Sequence, residues 1–549
     1  MKHKNLTARV LSVLLIMSMM AALCSCGKTT VSESDAQSEA SSETNQETTA
    51  ASTEETTTAA ETVPEETQPV SNVRVNGDYV TYPYKTATFL ESTPNEYAYG
   101  TAIECTAMQG MESTEKYLYV AKQKNNTYAN IYQYDPATDT QVLMTYFGSL
   151  DATEQATMDC ISHVNDMTIY TDSDDLMYML TAATYHPNSG DYPGPCLTQL
   201  QVDEENATLR LAGFFNLTRI NAAGESVYVS ASSIRMVAQT DEYNYFLIKN
   251  ANDFYWCKIP AGTMGGTKDA PVEVPCVHLF NIDNRNAVFV NNSGELETMA
   301  NLESWTNQGF YYSVEEDLLY VQLYNQYNGS TAGNEGVIIT FDMEGMLTVD
   351  ALEAVTENQT LQIYPTNLAF HLLCISQSTY EVESCVFLKN QGDDGDLTLY
   401  FNTNGSDVKK YEGIWAYEYT RGSVDAHSIV DENSIVYTVE YNYNVEGVAE
   451  SDWTQDVINN NYSMLRSTTH IAGITTNLRM NRFTNSGSVF MGWQLYRQSD
   501  GTWLYTDGNW YTEAAAPSGM EKQTLKDAEP VDDLTTVNGD VITAYAQWF

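Results

Sequence analysis

Two acidic clusters hold the side chains of this chain best suited to chemistry. One is "YTDSDDLMY", with Asp172, Asp174 and Asp175; the other is "NQGDDGDLTLY", with Asp393, Asp394 and Asp396. Grouped carboxylates can bind calcium, and two that converge across a cleft can cleave a glycosidic bond. Neither cluster has the twelve-residue calcium loop or its closing glutamate, and both fall between strand-like runs where Asp and Gly form turns. Calcium at Asp393–Asp396 stays open as an alternative. The seven histidines, His3, His163, His186, His278, His371, His427 and His470, stand singly, with no two at zinc-ligand spacing. No G-x-S-x-G, H-E-x-x-H or phosphate-loop motif occurs. The expectation is therefore no catalytic residue, no metal and no cofactor.

Of nine cysteines, Cys24 and Cys26 lie in the first segment. The others are Cys105, Cys160, Cys196, Cys257, Cys276, Cys374 and Cys385, an odd set without a C-x-x-C. Most sit in apolar runs such as "FYWCKIP" and "SCVFL", which predicts buried free thiols acting as small hydrophobes.

The first residues read as a targeting segment. Lys2, Lys4 and Arg9 precede an apolar stretch, Val10 to Leu23, that is short for a membrane span. Leu23-Cys24-Ser25-Cys26 resembles the bacterial lipobox, with an apolar residue three before the cysteine and a small one just before it. The resemblance implies a signal peptide over 1–25 and a lipid on Cys26, which anchors the chain without spanning the bilayer. From 26 to 72 the chain is Ser, Thr, Glu and Ala with almost no large apolar residue, a spacer that cannot bury a core.

The elements that must position any site are β. From 73 to 460, about twenty short runs of Tyr, Val, Ile, Leu and Phe alternate with Asn, Asp, Gly and Ser turns. "KYLYVAKQKNNTYANIYQYDPATDTQVLMTYF" and "DLLYVQLYNQYNGSTAGNEGVIITFDMEGMLTVDAL" share one order: strand, strand, acidic or Gly turn, strand. A unit of about 45 to 60 residues with four short strands predicts a β-propeller of six to eight blades; a pair of β-sandwiches is the fallback. Short helical pieces are possible near Thr153–Val164 and Trp453–Leu465. Tyrosine outnumbers phenylalanine 38 to 16, densest in "EYNYFLIKNANDFYWCK" and "VYTVEYNYNV", which reads as strand propensity or as a sugar-stacking surface.

The last segment, 462–549, is separate. "LRMNRFTNSGSVFMGWQLYRQSDGTWLYTDG" followed by "LTTVNGDVITAYAQWF" is similar to the Listeria–Bacteroides repeat, the internalin-B B-repeat family of bacterial surface proteins. Gly492 and Trp493, then Tyr545, Ala546, Gln547 and Trp548, carry the resemblance, which implies a small β-grasp-like fold. Ser488 stands where the family usually has an aromatic residue, and the family's opening strand is not clear in "STTHIAGITTN". In "VITAYAQWF", Ile542, Ala544, Ala546 and Trp548 share one face, so this reads as a strand whose closing aromatic residues join a core.

Asp and Glu number 73 against 26 Lys and Arg, a net charge of -47 that repels nucleic-acid phosphates. The expectation is an all-β, non-enzymatic, lipid-anchored protein on the outer face of the membrane, binding a protein or polysaccharide. One alternative is a propeller-type glycan hydrolase, with carboxylates from several blades meeting at a central mouth. The other is a transporter solute-binding lipoprotein, which needs two α/β lobes.

Overall fold

The computed structural model describes residues 70–549 apart from 76–77, 90–94, 97–101, 125–127, 147–160, 162, 184, 189–193, 291–295, 299–305, 326–334, 373–379, 389–395, 406–412, 421–424 and 457–463. Residues 1–69, with Cys26 and the expected signal peptide and spacer, lie outside the described residues, as do Cys160, Cys374, Asp393 and Asp394.

Five four-stranded antiparallel blades form the body; outer-edge pairing merges the second and third into an 11-stranded sheet and, through Val70–Val75, the fourth and fifth into a 9-stranded one. Blade 1 is Ala107–Ser113, Leu118–Lys124, Tyr128–Asp135 and Thr140–Leu143. Blade 2 is Asp166–Thr171, Met177–Ala182, Leu197–Asp203 and Thr208–Ile220. Blade 3 is Ser233–Gln239, Tyr243–Asn250, Asp253–Pro260 and Val272–Ile282. Blade 4 is Thr306–Ser313, Leu318–Asn325, Glu335–Asp342 and Ala369–Leu372. Blade 5 is Tyr380–Phe387, Asp396–Gly405 and Gly413–Thr420, completed by Asp78–Phe89 from the start of the body. The first strand of each blade is innermost. Each inner strand packs beside the next, and the fifth meets the first.

This is a propeller closed by sharing one blade between the two ends of the ring. The five blades replace the six to eight expected. Inner strands begin at Ala107, Asp166, Ser233, Thr306 and Tyr380, so the later repeats outrun the expected unit. Their extra length is loop, including the helical turn Val349–Ala354 in blade 4.

Side-chain alternation explains the packing. In "LLYVQLYN", Leu319, Val321 and Leu323 pack toward blade 3, while Leu318 and Tyr320 join the core shared with blades 1 and 5. Both faces are buried, so the run reads as continuously apolar rather than alternating. Each such side chain contributes about 1.5–3 kcal/mol by leaving water. The ring is tight at Gly110, where a Cβ would lie 2.5 Å from the Cα of Asp166.

Among the described residues strand makes up 54% and helix 3%, which does not fit the two α/β lobes of a solute-binding lipoprotein. Of the expected helical pieces, 153–160 lies outside the described residues, and only the turn Glu450–Asp452 lies near the second. The described cysteines, Cys105, Cys196, Cys257, Cys276 and Cys385, are free and buried as expected.

The terminal module is one six-stranded sheet in the order Ser467–Ile471, Val436–Asn442, Val541–Trp548, Phe490–Arg497, Thr502–Leu504, Trp510–Tyr511. Its opening strand, Val436–Asn442, runs parallel to the closing one. The module therefore begins before residue 462, and a strand assigned by sequence to the larger body belongs to it. Ile542, Ala544 and Ala546 are fully buried against Trp493, Tyr437, Val439 and Tyr441. Trp548 is half-buried and donates its indole N–H to the Tyr443 carbonyl at 2.8 Å. Phe549 does not join the core. Its side chain is 88% exposed, and only its backbone pairs, with Val489.

Candidate functional site

The centre of the ring is filled by charge. Arg235, third residue of the inner strand of blade 3, is 2% exposed. Its Nη1 lies 2.8 Å from Asp166 Oδ1 of blade 2, and its Nε is 3.8 Å from Glu112 Oε2 of blade 1. Nη2 donates to the Met111 carbonyl at 2.9 Å and to Ser384 Oγ of blade 5 at 3.3 Å. One guanidinium thus ties four of the five inner strands. Asp166 and Glu112 are 0% and 3% exposed, so the space between the two carboxylates belongs to Arg235 rather than to solvent.

Around this core lie Lys249, whose ammonium donates to the Gln308 carbonyl, and Glu383, buried with no partner for its Oε1. Burial pushes the Asp166 carboxyl up to about 7 against the opposing charge of Arg235. It pulls Lys249 down to about 7, with Asp166 opposing. Glu383 is raised by burial and then by Glu381 beside it.

Because the folded state holds the Asp166 proton more tightly than the unfolded chain, its contribution to stability is full below about 4. It is lost as pH rises toward 7. Asp166→Asn is expected to remove that downward slope between pH 4 and 7 in denaturant titrations. An unchanged slope means Asp166 is not the group responsible.

The carboxylate clusters singled out in the sequence are turn formers where they are described. Asp172 Oδ1 accepts from the Ser173 and Gly262 amides at 2.7 and 2.9 Å, linking blades 2 and 3. Asp174 accepts from the Leu176 amide and the Tyr178 hydroxyl. Asp396 opens a strand of blade 5. Histidines remain apart: His278 pairs with Asp253 at 3.0 Å, and His470, pushed down to about 3 by burial and then by Arg285, sits between Thr468 and Thr476. No group of three His, Cys, Asp or Glu is set to hold a metal among the described residues.

The Tyr-dense stretches are core. Tyr245, Tyr255 and Trp256 lie between blades, and Tyr437, Tyr441 and Tyr443 fill the terminal module. A cluster of half-exposed aromatic rings lies on the outward face of the terminal sheet. Trp503 sits 5.3 Å from Tyr545 and 5.0 Å from Tyr496, ring centre to ring centre. Lys522 places its ammonium 3.5 Å above the Trp503 ring. Gln494 and Gln498 flank the rings and donate to Thr524 and Thr543. Of the residues carrying the repeat resemblance, Trp493 and Ala546 face the core, whereas Tyr545 and Gln547 face outward. Gly492, at φ +135°, packs where a Cβ would lie 2.1 Å from the Leu525 carbonyl. Sequence reasoning missed Arg235, Asp166 and Glu112 at the centre.

Ring and sheet together define an all-β chain with a five-bladed propeller and an appended mixed sheet. No protein-family model matches it, and no curated protein does. Among solved structures it is similar to an α-L-arabinanase from Cellvibrio cellulosa, at 8% identity and a TM-score of 0.30, over 60% of this chain and 96% of that one. An α-L-arabinofuranosidase catalytic domain from Coprinopsis cinerea gives 7% and 0.28 over 62% and 98%. An exo-β-1,3-galactanase from Clostridium thermocellum gives 11% and 0.28 over 87% and 96%. Likeness at this level assigns neither substrate nor catalytic residue.

Proposed function

We propose that the chain is a lipid-anchored protein of the cell envelope that holds a propeller outside the membrane and binds a polysaccharide there. The anchor rests on the Leu23–Cys26 motif, and the acidic linker sets the distance. The observation that carries the binding reading is the outward face of the terminal sheet. Tyr and Trp rings on the wet side of a sheet stack on sugar faces while neighbouring amides and hydroxyls take the sugar's hydrogen bonds. Trp503, Tyr496 and Tyr545 supply the rings and Gln494 the rim, and the Lys522 side chain over the Trp503 face swings aside for a sugar to stack there. The centre of the propeller is occupied by the Arg235 ion pairs.

Trp503→Ala with Tyr545→Ala is expected to cut retention on insoluble cell-wall polysaccharide by about tenfold or more. Retention unchanged in a folded double variant overturns the reading, and retention on an extracellular protein instead would shift the ligand class.

One observation favours a glycan hydrolase as the second reading. Glu112 and Asp166 come from adjacent blades to one point, and Asp166 is pushed up to about 7, a value suited to a general acid. That reading requires Arg235 to leave and requires hydrolysis to vanish in Asp166→Asn.

A further inference from the structure

Blades 2 and 3 do not part at their outer edges. Their outer strands, Thr208–Ile220 and Val272–Ile282, pair in parallel, with Asn216 opposite Glu273. The loop leading into the second strand, "PAGTMGGTKDAP", lies flat on the first. Phe214 and Gly266 exchange backbone hydrogen bonds at 2.9 Å. A Cβ on Gly213 would lie 2.3 Å from the Gly265 carbonyl, and one on Gly265 would lie 2.3 Å from the Phe214 nitrogen. Only glycine at both positions lets the loop settle there.

Beside this seam lies a cavity of about 450 Å³, inside the ~300–1,000 Å³ span of small-molecule sites. Asn216 is among its lining residues at 4% exposure, with its Oδ1 buried and accepting no hydrogen bond. Half-buried Tyr228 and Pro271 and exposed Lys268, Asp269 and Glu273 also line it, with the Tyr228 hydroxyl 3.5 Å from Glu273 Oε1.

We propose that this cavity binds a neutral mono- or disaccharide. Acceptors outnumber donors among its polar side chains, so the fitting ligand is one rich in hydroxyl donors. Its charged lining is one ammonium and two carboxylates, a net charge of -1 that disfavours an anionic ligand. The Tyr228 ring and the proline walls match the C–H faces of a sugar ring. The site lies on the propeller and does not depend on the terminal sheet binding a polysaccharide.

Calorimetric titration of the full chain with glucose, galactose, xylose, arabinose, N-acetylglucosamine and cellobiose tests this. At least one sugar is expected to saturate below ~10 mM. Tyr228→Ala and Asn216→Leu should each weaken it by about tenfold. Asn216→Leu should also keep or raise the unfolding midpoint, because it removes an unpartnered buried carbonyl in favour of an apolar group of similar shape. Trp503→Ala should leave this titration unchanged, which separates the cavity from the terminal face. Saturation by none of these sugars, equal binding by both folded variants, or tighter binding of galacturonate or a polyproline peptide overturns the proposal.

Discussion

At about pH 8, where Asp166 is ionised, Arg235→Met is expected to destabilise the propeller by about 3–5 kcal/mol, the cost of leaving buried carboxylates without their counter-charge. The guanidinium holds Asp166 at 2.8 Å and Glu112 at 3.8 Å, with all three residues at most 3% exposed. It also caps the Met111 carbonyl, so its loss orphans backbone as well as charge. Combining Arg235→Met with Asp166→Asn and Glu112→Gln should recover a large part of the loss. Neutral groups of similar size no longer need a cation, and replacing a whole buried ion group is far cheaper than breaking it. Denaturant midpoints of the single and triple variants measure this. A neutral single variant, or a triple variant worse than the single, would mean that the cluster does not close the ring.

Removing Tyr545 to Phe549 is expected to unfold the terminal module and spare the propeller, a loss above about 4 kcal/mol confined to one region. The deleted half of the closing strand is paired on both edges: Tyr545 with Asn442 on one side and with Gln494 on the other, and Ala546 with Trp493. It also carries the fully buried Ala546 and the Trp548 indole that bonds to Tyr443. Limited proteolysis should cut between 436 and 544 while the blades resist. Loss of the near-UV signal from Trp493, packed 5.2 Å from Tyr441, should accompany it. A truncated chain that keeps both signal and resistance contradicts the strand pairing.

Local periodicity carried much of this architecture. "VITAYAQWF" announces a strand with Ile542, Ala544 and Ala546 inward, and it is one. "LLYVQLYN" announces a buried strand but not which neighbour each face meets. The opening strand of the terminal module was misplaced because its partner lies about a hundred residues away. Parallel pairing at that distance leaves no mark in the local pattern. The blade number was misjudged because loop length, not strand count, sets the repeat.

The centre of the ring left a fainter sign. Arg235 in "SSIRMVAQ" and Lys249 in "YFLIKN" are single charges inside apolar strand runs, and Glu383 in "YEVESCVF" is one of two. A charge there must be paired once buried, which marks a cluster without saying which strands assemble it. The outward aromatic face was hidden for the opposite reason. Tyr496, Trp503 and Tyr545 sit in the same runs as Trp493 and Ala546, and only the pleat separates wet rings from buried ones.

The most direct measurement incubates the chain with a panel of insoluble envelope and plant polysaccharides, reading bound protein and released reducing ends together. The account predicts saturable retention on at least one polymer, weakened in Trp503→Ala with Tyr545→Ala, and no new reducing ends. Release of reducing ends that disappears in Asp166→Asn would contradict it and place the chemistry at the centre of the ring.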